Sequence, residues 1–138
     1  MIAIARGKLA VEPVSQLVFR TATAEDLLLE EARFDAVLGF NYLHLVRDLP
    51  STLASIHALL KPGGLFVSKT PCLGDMNPLI RLVLLPAMRA IGKAPHVDPL
   101  GADALQSRIA QAGFDILARE GHASRGRDAR PFILARRP

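Results

Sequence analysis

The sequence predicts an α/β layered fold, a mostly parallel sheet that ends in an antiparallel hairpin. Two observations carry this. The first is the stretch Phe34 to Pro71, FDAVLGFNYLHLVRDLPSTLASIHALLKPGGLFVSKTP, which reads as strand, loop, helix, tight turn, strand. Two buried strands joined by a packed helix form a right-handed unit with parallel strands. The second is the pair FDILARE (Phe114 to Glu120) and FILAR (Phe132 to Arg136), joined by a Gly-Ser-Arg-rich loop with no helix, which implies antiparallel pairing.

Taken in order, Met1 to about Leu9 reads as the end of a helix, with Ile2, Ala5 and Leu9 on one face. Glu12-Pro13 marks a loop, and Leu17 to Thr21, LVFRT, is a short strand. Ala22 to Arg33 is a connection with a single turn at Leu27 to Leu29. FDAVLGF is a continuous apolar run, the pattern of a strand buried on both faces. Leu49, Leu53, Ile56 and Leu60 then recur at helical spacing, and Lys61-Pro62-Gly63-Gly64 ends that helix. LFVSK follows as a strand. Pro71 to Pro99 contains three further prolines, Pro78, Pro86 and Pro95, and a helix around Leu79 to Ile91 that Pro86 kinks or breaks. Ala102 to Ala112 is a clearer helix, with Leu105, Ile109 and Ala112 on one face and Gly113 as its stop. No repeat or low-complexity tract interrupts this order, so the 138 residues form one domain with a lid-like segment at about 71–100.

Composition narrows the function classes. Half the residues are hydrophobic and 22% are charged, the balance of a globular chain. No window reaches the roughly 18–20 uninterrupted apolar residues of a membrane span, and the N-terminus lacks a secretory pattern. The single cysteine, Cys72, excludes an internal disulfide and fits a reducing, cytoplasmic setting. Net charge is +4, with the excess late, at Arg119, Arg125, Arg127, Arg130, Arg136 and Arg137. Without interleaved aromatic platforms this reads as a solvated loop and tail, and no nucleic-acid partner is expected. His57, His96 and His122 have no carboxylate or cysteine at metal-ligand spacing, so no metal is expected. No serine sits in a nucleophile elbow. Phe40, Asn41 and Tyr42 fall at the carboxyl end of the central strand, where open parallel sheets bind ligands.

At these residues a family resemblance enters. FDAVLGFNYLHLVRDL followed by LLKPGGLFV resembles the second half of class I S-adenosylmethionine-dependent methyltransferases, the small-molecule type that includes ubiquinone and menaquinone biosynthesis enzymes. MIAIAR resembles the helix after that family's second strand, RTATAEDL the loop after its third, and AGFDILARE with RPFILARRP its terminal hairpin. The resemblance implies a Rossmann-like methyltransferase sheet, N-terminally truncated. The strand with a glycine-rich turn and the strand ending in a ribose-binding carboxylate have no counterpart, and no G-x-G occurs anywhere. Those two strands lie, in the family, between this chain's first and second. An internal methionine taken as the start, or a shortened gene, would account for this.

What the resemblance implies about sites is specific. The cofactor is S-adenosyl-L-methionine, bound by Met1, Thr23, Ala24, Glu25, Phe40 and Asn41. Thr23 stands where an aspartate often accepts a hydrogen bond from the adenine amino group, and otherwise it is an ordinary polar turn residue. Tyr42 and His44 face the methyl acceptor. His44 is either the general base or a capping and packing residue. Methyl transfer from a sulfonium asks mainly for alignment and exclusion of water. The leucine-rich Leu79 to Ile91 segment is either an acceptor-pocket wall suited to an apolar molecule, with contact to a membrane surface, or a helix packed on the sheet. The chain is therefore expected to be an enzyme with a small-molecule partner. The alternative is an inactive remnant or binding subunit that needs a partner, and open sheet edges would favour a homo-oligomer.

Overall fold

The structure is a computed structural model, and it describes residues 2–31, 33–72, 83, 85–90, 100–121 and 130–138. Helices α1 (Ile2–Val11) and α2 (Ala24–Leu29) precede strand β1 (Phe34–Phe40). A 3₁₀ turn (Leu43–Leu45), helix α3 (Leu49–Leu59) and strand β2 (Leu60–Lys69) follow. Then come α4 (Leu85–Ala90), α5 (Ala102–Gln111), β3 (Asp115–Glu120) and β4 (Phe132–Arg136). The described strands form one sheet in the order β1-β2-β4-β3. β1 and β2 are parallel, and β4 is antiparallel to both β2 and β3. The parallel unit and the hairpin match the sequence expectation, so the fold is the Rossmann-like one.

Each element has a local cause. Asp48 caps α3, its carboxylate accepting from the Ser51 N–H at 3.0 Å, and Pro50 sits in the first turn where it costs no hydrogen bond. The predicted face is the buried one, with Leu53 fully buried and Ile56 and Leu49 nearly so, but the helix ends a residue earlier than expected: Leu60, also fully buried, is extended and opens β2. The far end of α3 is closed by Arg137, whose guanidinium donates to the carbonyls of His57 at 3.0 Å, Ala58 at 3.3 Å and Leu60. These carbonyls lie at the helix end, where that of His57 also accepts from the Leu60 N–H, and a cation at a helix C-terminus suits the helix dipole. The core joins α3 and α5 to one face of the sheet through Leu53, Ile56, Phe66, Leu105, Ile109 and Ile133.

Three further expectations change. Leu17 to Thr21 forms no strand, since no described strand pairs with its backbone. Instead the Phe19 carbonyl accepts two bonds from the Arg6 guanidinium, at 3.0 and 3.1 Å. β1 is not buried on both faces. It is the edge of the described sheet, with Leu38 61% and Phe40 54% exposed. The single turn expected at Leu27 to Leu29 is the longer helix α2. In the segment at about 71–100, Leu85–Ala90 is helical, while 73–82, 84 and 91–99 lie outside the described residues.

The basic tail is largely absorbed into the fold. Arg119 pairs with Asp103, Arg136 reaches Asp115 at 3.5 Å, and Arg137 is committed to α3. Arg125 and Arg127 lie outside the described residues.

Candidate active site

Parallel strands end together, and the carboxyl ends of β1 and β2 define the site. Asn41 leaves the sheet in the left-handed region, φ 51°, while its N–H still donates to the Lys69 carbonyl at 2.9 Å. Asparagine tolerates that conformation better than most residues. The chain then winds into the 3₁₀ turn, closed by the Leu45 N–H on the Tyr42 carbonyl at 2.9 Å.

A groove of about 450 Å³ runs along β1 and under the start of α2. Thr23, Ala24, Leu27, Val37, Phe40 and Tyr42 are among its walls. Its position at the α2 N-terminus follows from a capping box: Thr23 Oγ1 accepts from the Asp26 N–H at 3.1 Å, and the Asp26 carboxylate accepts from the Thr23 N–H at 2.8 Å. That bond holds the Asp26 carboxyl below its ordinary pKa, the Thr23 backbone N–H being the largest cause. The cap uses an acceptor lone pair of Thr23 and leaves the hydroxyl proton to donate. Burial, then the Glu25 charge, pushes the Tyr42 phenol up, so it stays a neutral donor.

Thr23, Ala24, Phe40 and Tyr42 thus share one groove. Glu25 is tied instead to α3, accepting from the Thr52 hydroxyl at 3.2 Å. Asn41 forms the turn beyond the groove, and Met1 lies outside the described residues. His44 faces away from the groove. It lines a small separate cavity with Thr70, Pro71, Cys72 and Leu105. Its Nδ1 is buried and finds no hydrogen-bond partner among the described residues. Burial chiefly, and then Arg130, lower its pKa, so the imidazole is neutral and able to take a proton.

Sequence reasoning missed two parts of this neighbourhood. Ser68 in β2 and Thr70, one residue past its end, are both buried with hydroxyl oxygens 3.2 Å apart. Alternation alone signalled them. The Glu25–Thr52 bond had no local signal, since its partners are 27 residues apart.

Histidine titration gives a first expected result. His57 packs edge-on against Phe114, ring centroids 5.0 Å apart, and burial followed by Arg137 lowers its pKa as well. Both histidines bind protons less readily folded than unfolded. Their contribution is therefore present above the unfolded value, 6.5, and is lost as pH falls below it. Urea midpoints should drop between about pH 7.5 and pH 5, and His44→Gln with His57→Gln should flatten that drop.

The groove fits part of S-adenosyl-L-methionine. Apolar walls suit the adenine face, with the Thr23 and Tyr42 hydroxyls as polar contacts. The described lining contains no carboxylate to hold ribose hydroxyls. Among the described residues no three His, Cys, Asp or Glu side chains meet as a metal cluster would require. No described helix is long and apolar enough to cross a membrane.

A family model described as a methyltransferase domain matches residues 4–119. The zebrafish (Danio rerio) mitochondrial arginine-hydroxylase NDUFAF5 is 36% identical over 100 residues, covering 70% of this chain and 30% of that protein. The ubiquinone biosynthesis O-methyltransferase of Cereibacter sphaeroides is 35% identical over 112 residues, 75% of this chain and 43% of the enzyme. The chain thus spans less than half the length of these relatives. An S-adenosylmethionine-dependent methyltransferase from Mesorhizobium loti superposes with a TM-score of 0.70 at 20% identity, over 97% of this chain and 75% of that structure. That likeness concerns the fold.

Proposed function

The chain belongs to the methyltransferase-domain family of Rossmann-like, S-adenosylmethionine-dependent proteins, and from that premise we propose that it forms the adenine-side and acceptor-side half of a methyl-transfer site acting on a small, apolar molecule. The observation that carries this is the groove at the end of β1, where Thr23, Ala24, Phe40 and Tyr42 converge. Bound there, the cofactor supplies an activated methyl group. Thr23 and Tyr42 would orient the adenine and the acceptor through their hydroxyls, and Phe40 would exclude water. Backbone at Phe40 and Asn41 would flank the cofactor. His44 faces a separate small cavity and would pack there, so the proton released by the acceptor would leave to solvent. The setting proposed is cytoplasmic, with peripheral contact to a membrane that holds an apolar acceptor.

A second reading rests on the open edge of β1: the chain is a binding subunit or inactive remnant that a partner must complete. The relatives also include an enzyme named for arginine hydroxylation. Incubation with methyl-labelled S-adenosyl-L-methionine and a metabolite extract separates these. The proposal expects label in an apolar product whose mass rises by one methylene. A gain of one oxygen, or no labelled product at any chain concentration, contradicts it.

Thr23→Ala should lower stability by about 1 kcal/mol through the lost cap and weaken cofactor binding a further ~5-fold through the lost hydroxyl contact. Thr23→Ser should restore both. Calorimetry and urea titration of the two variants check this, and equal cofactor affinity in wild type and Thr23→Ala would remove Thr23 from the site.

A further inference from the structure

We propose that Thr52 and Glu25 form a tether that sets where helix α2 lies against β1, which makes Thr52 a positioning residue for the cofactor groove. This role rests on the methyl-transfer reading. Three elements line the groove: α2 with Ala24 and Leu27, β1 with Val37 and Phe40, and α3 with Ile56 and Leu59. Thr52 lies one turn before Ile56 on the same face of α3, since residues three and four apart share a face. The wall that would meet the ligand and the residue that holds α2 are thus parts of one helix stripe.

Helix α2 needs an outside hold. It has six residues, and none of them is buried. A helix that short is unstable alone, because nucleation costs more than its few internal bonds stabilise. The capping box closes its first turn but binds α2 only to itself. Ala24 packs at the margin of the core, while Leu29 is 86% exposed. The Thr52 hydroxyl, on a residue only 5% exposed, donates to the Glu25 carboxylate at 3.2 Å. An ionised acceptor makes such a bond roughly twice as strong as a neutral one. Leu53 and Ile56 fix α3 in the core, so Thr52 is the anchor and Glu25 the held group.

Glu25 follows directly on Thr23 and Ala24, the end of α2 that would meet the adenine. After burial, the Glu25 charge is the second cause of the raised Tyr42 phenol, so the carboxylate also lies within electrostatic reach of the β1 end of the groove. Loss of the tether would free Thr23, Ala24 and Leu27 together, although Thr52 itself touches no ligand.

Chemical-shift titration of the ¹⁵N-labelled chain with S-adenosylhomocysteine tests this. Thr52→Val removes the hydroxyl and should weaken binding about 5-fold, the equivalent of one hydrogen bond. Thr52→Ser should restore it. Glu25→Ala, at an exposed position, breaks the same bond from the other side and should weaken binding to a similar degree. The double variant should bind no worse than either single one, since both remove one interaction. Without ligand, the Leu27 amide, which donates to the Thr23 carbonyl at 3.3 Å, should exchange faster in Thr52→Val. Ile109→Val, a core change in α5, controls for lost stability and should leave both the affinity and that exchange unchanged. The tether alone is overturned if Thr52→Val binds as tightly as wild type or leaves Leu27 exchange unchanged. It is equally overturned if the single losses multiply in the double variant, or if Ile109→Val weakens binding as much. A wild-type chain that binds no S-adenosylhomocysteine would end the methyl-transfer reading and this role with it.

Discussion

Replacing Phe66 with alanine is expected to remove about 3–5 kcal/mol of stability, a large share of the roughly 5–15 kcal/mol of a typical domain. Phe66 lies fully buried in β2, flanked in register by Val37 of β1 and Ala135 of β4. Its ring stacks at a tilt on Phe114, 5.4 Å between centroids, and lies under Gly39, where an added Cβ would sit 3.6 Å from it. The paired strands β1 and β4 hold β2 on both sides, which limits how far the site can collapse into the space left. Its neighbour Leu65 points to the opposite, open face and is 37% exposed. Leu65→Ala should cost under ~1 kcal/mol, as surface substitutions do. Urea midpoints of the two variants give the comparison, and equal losses would mean that the sheet has no single buried face.

Gly64→Ala should be nearly as damaging, by roughly 3 kcal/mol. A Cβ at Gly64 would lie 2.8 Å from the Lys61 carbonyl oxygen and 3.1 Å from that of Asp35. Both are backbone atoms, so no side chain can move to make room. The turn before it is fixed by Gly63 at φ 81°, whose N–H donates to the Arg137 carbonyl at 2.9 Å, while the Arg137 N–H donates to Gly64 at 2.9 Å. Those two bonds attach the C-terminal segment to the start of β2. The substitution should therefore also loosen Arg137 from the end of α3. Hydrogen exchange should show faster exchange at the C-terminus of α3 in Gly64→Ala than in Gly7→Ala, where a Cβ meets nothing.

How much of this could be read from residues alone varies with the range of the forces. The β1–α3–β2 unit was legible because its strands and its helix face are periodic within short windows. The hairpin of β3 and β4 was legible for the same reason. LVFRT failed as a strand because its composition is local but a ladder needs a neighbour, and no described strand adjoins it. Arg137 read as a solvated tail because the carbonyls it caps are 77 to 80 residues away. Tyr42 and His44 looked like one acceptor face two residues apart. In a 3₁₀ turn each residue advances about 120°, which sends them to different sides and into different cavities. Glu25 looked like a cofactor contact by its place in the loop, and its bond to Thr52 became visible only when α2 and α3 were packed.

The central claim is that the cofactor binds at the carboxyl end of β1, against the α2 N-terminus. Amide chemical shifts of the ¹⁵N-labelled chain, followed as S-adenosylhomocysteine is added up to about 10 mM, test it most directly, since that range detects even millimolar binding. The account predicts saturable shifts at Thr23, Ala24, Phe40, Asn41 and Tyr42, with β3 and β4 unchanged. No shift at those amides, or shifts clustered on the β3–β4 hairpin, would contradict it.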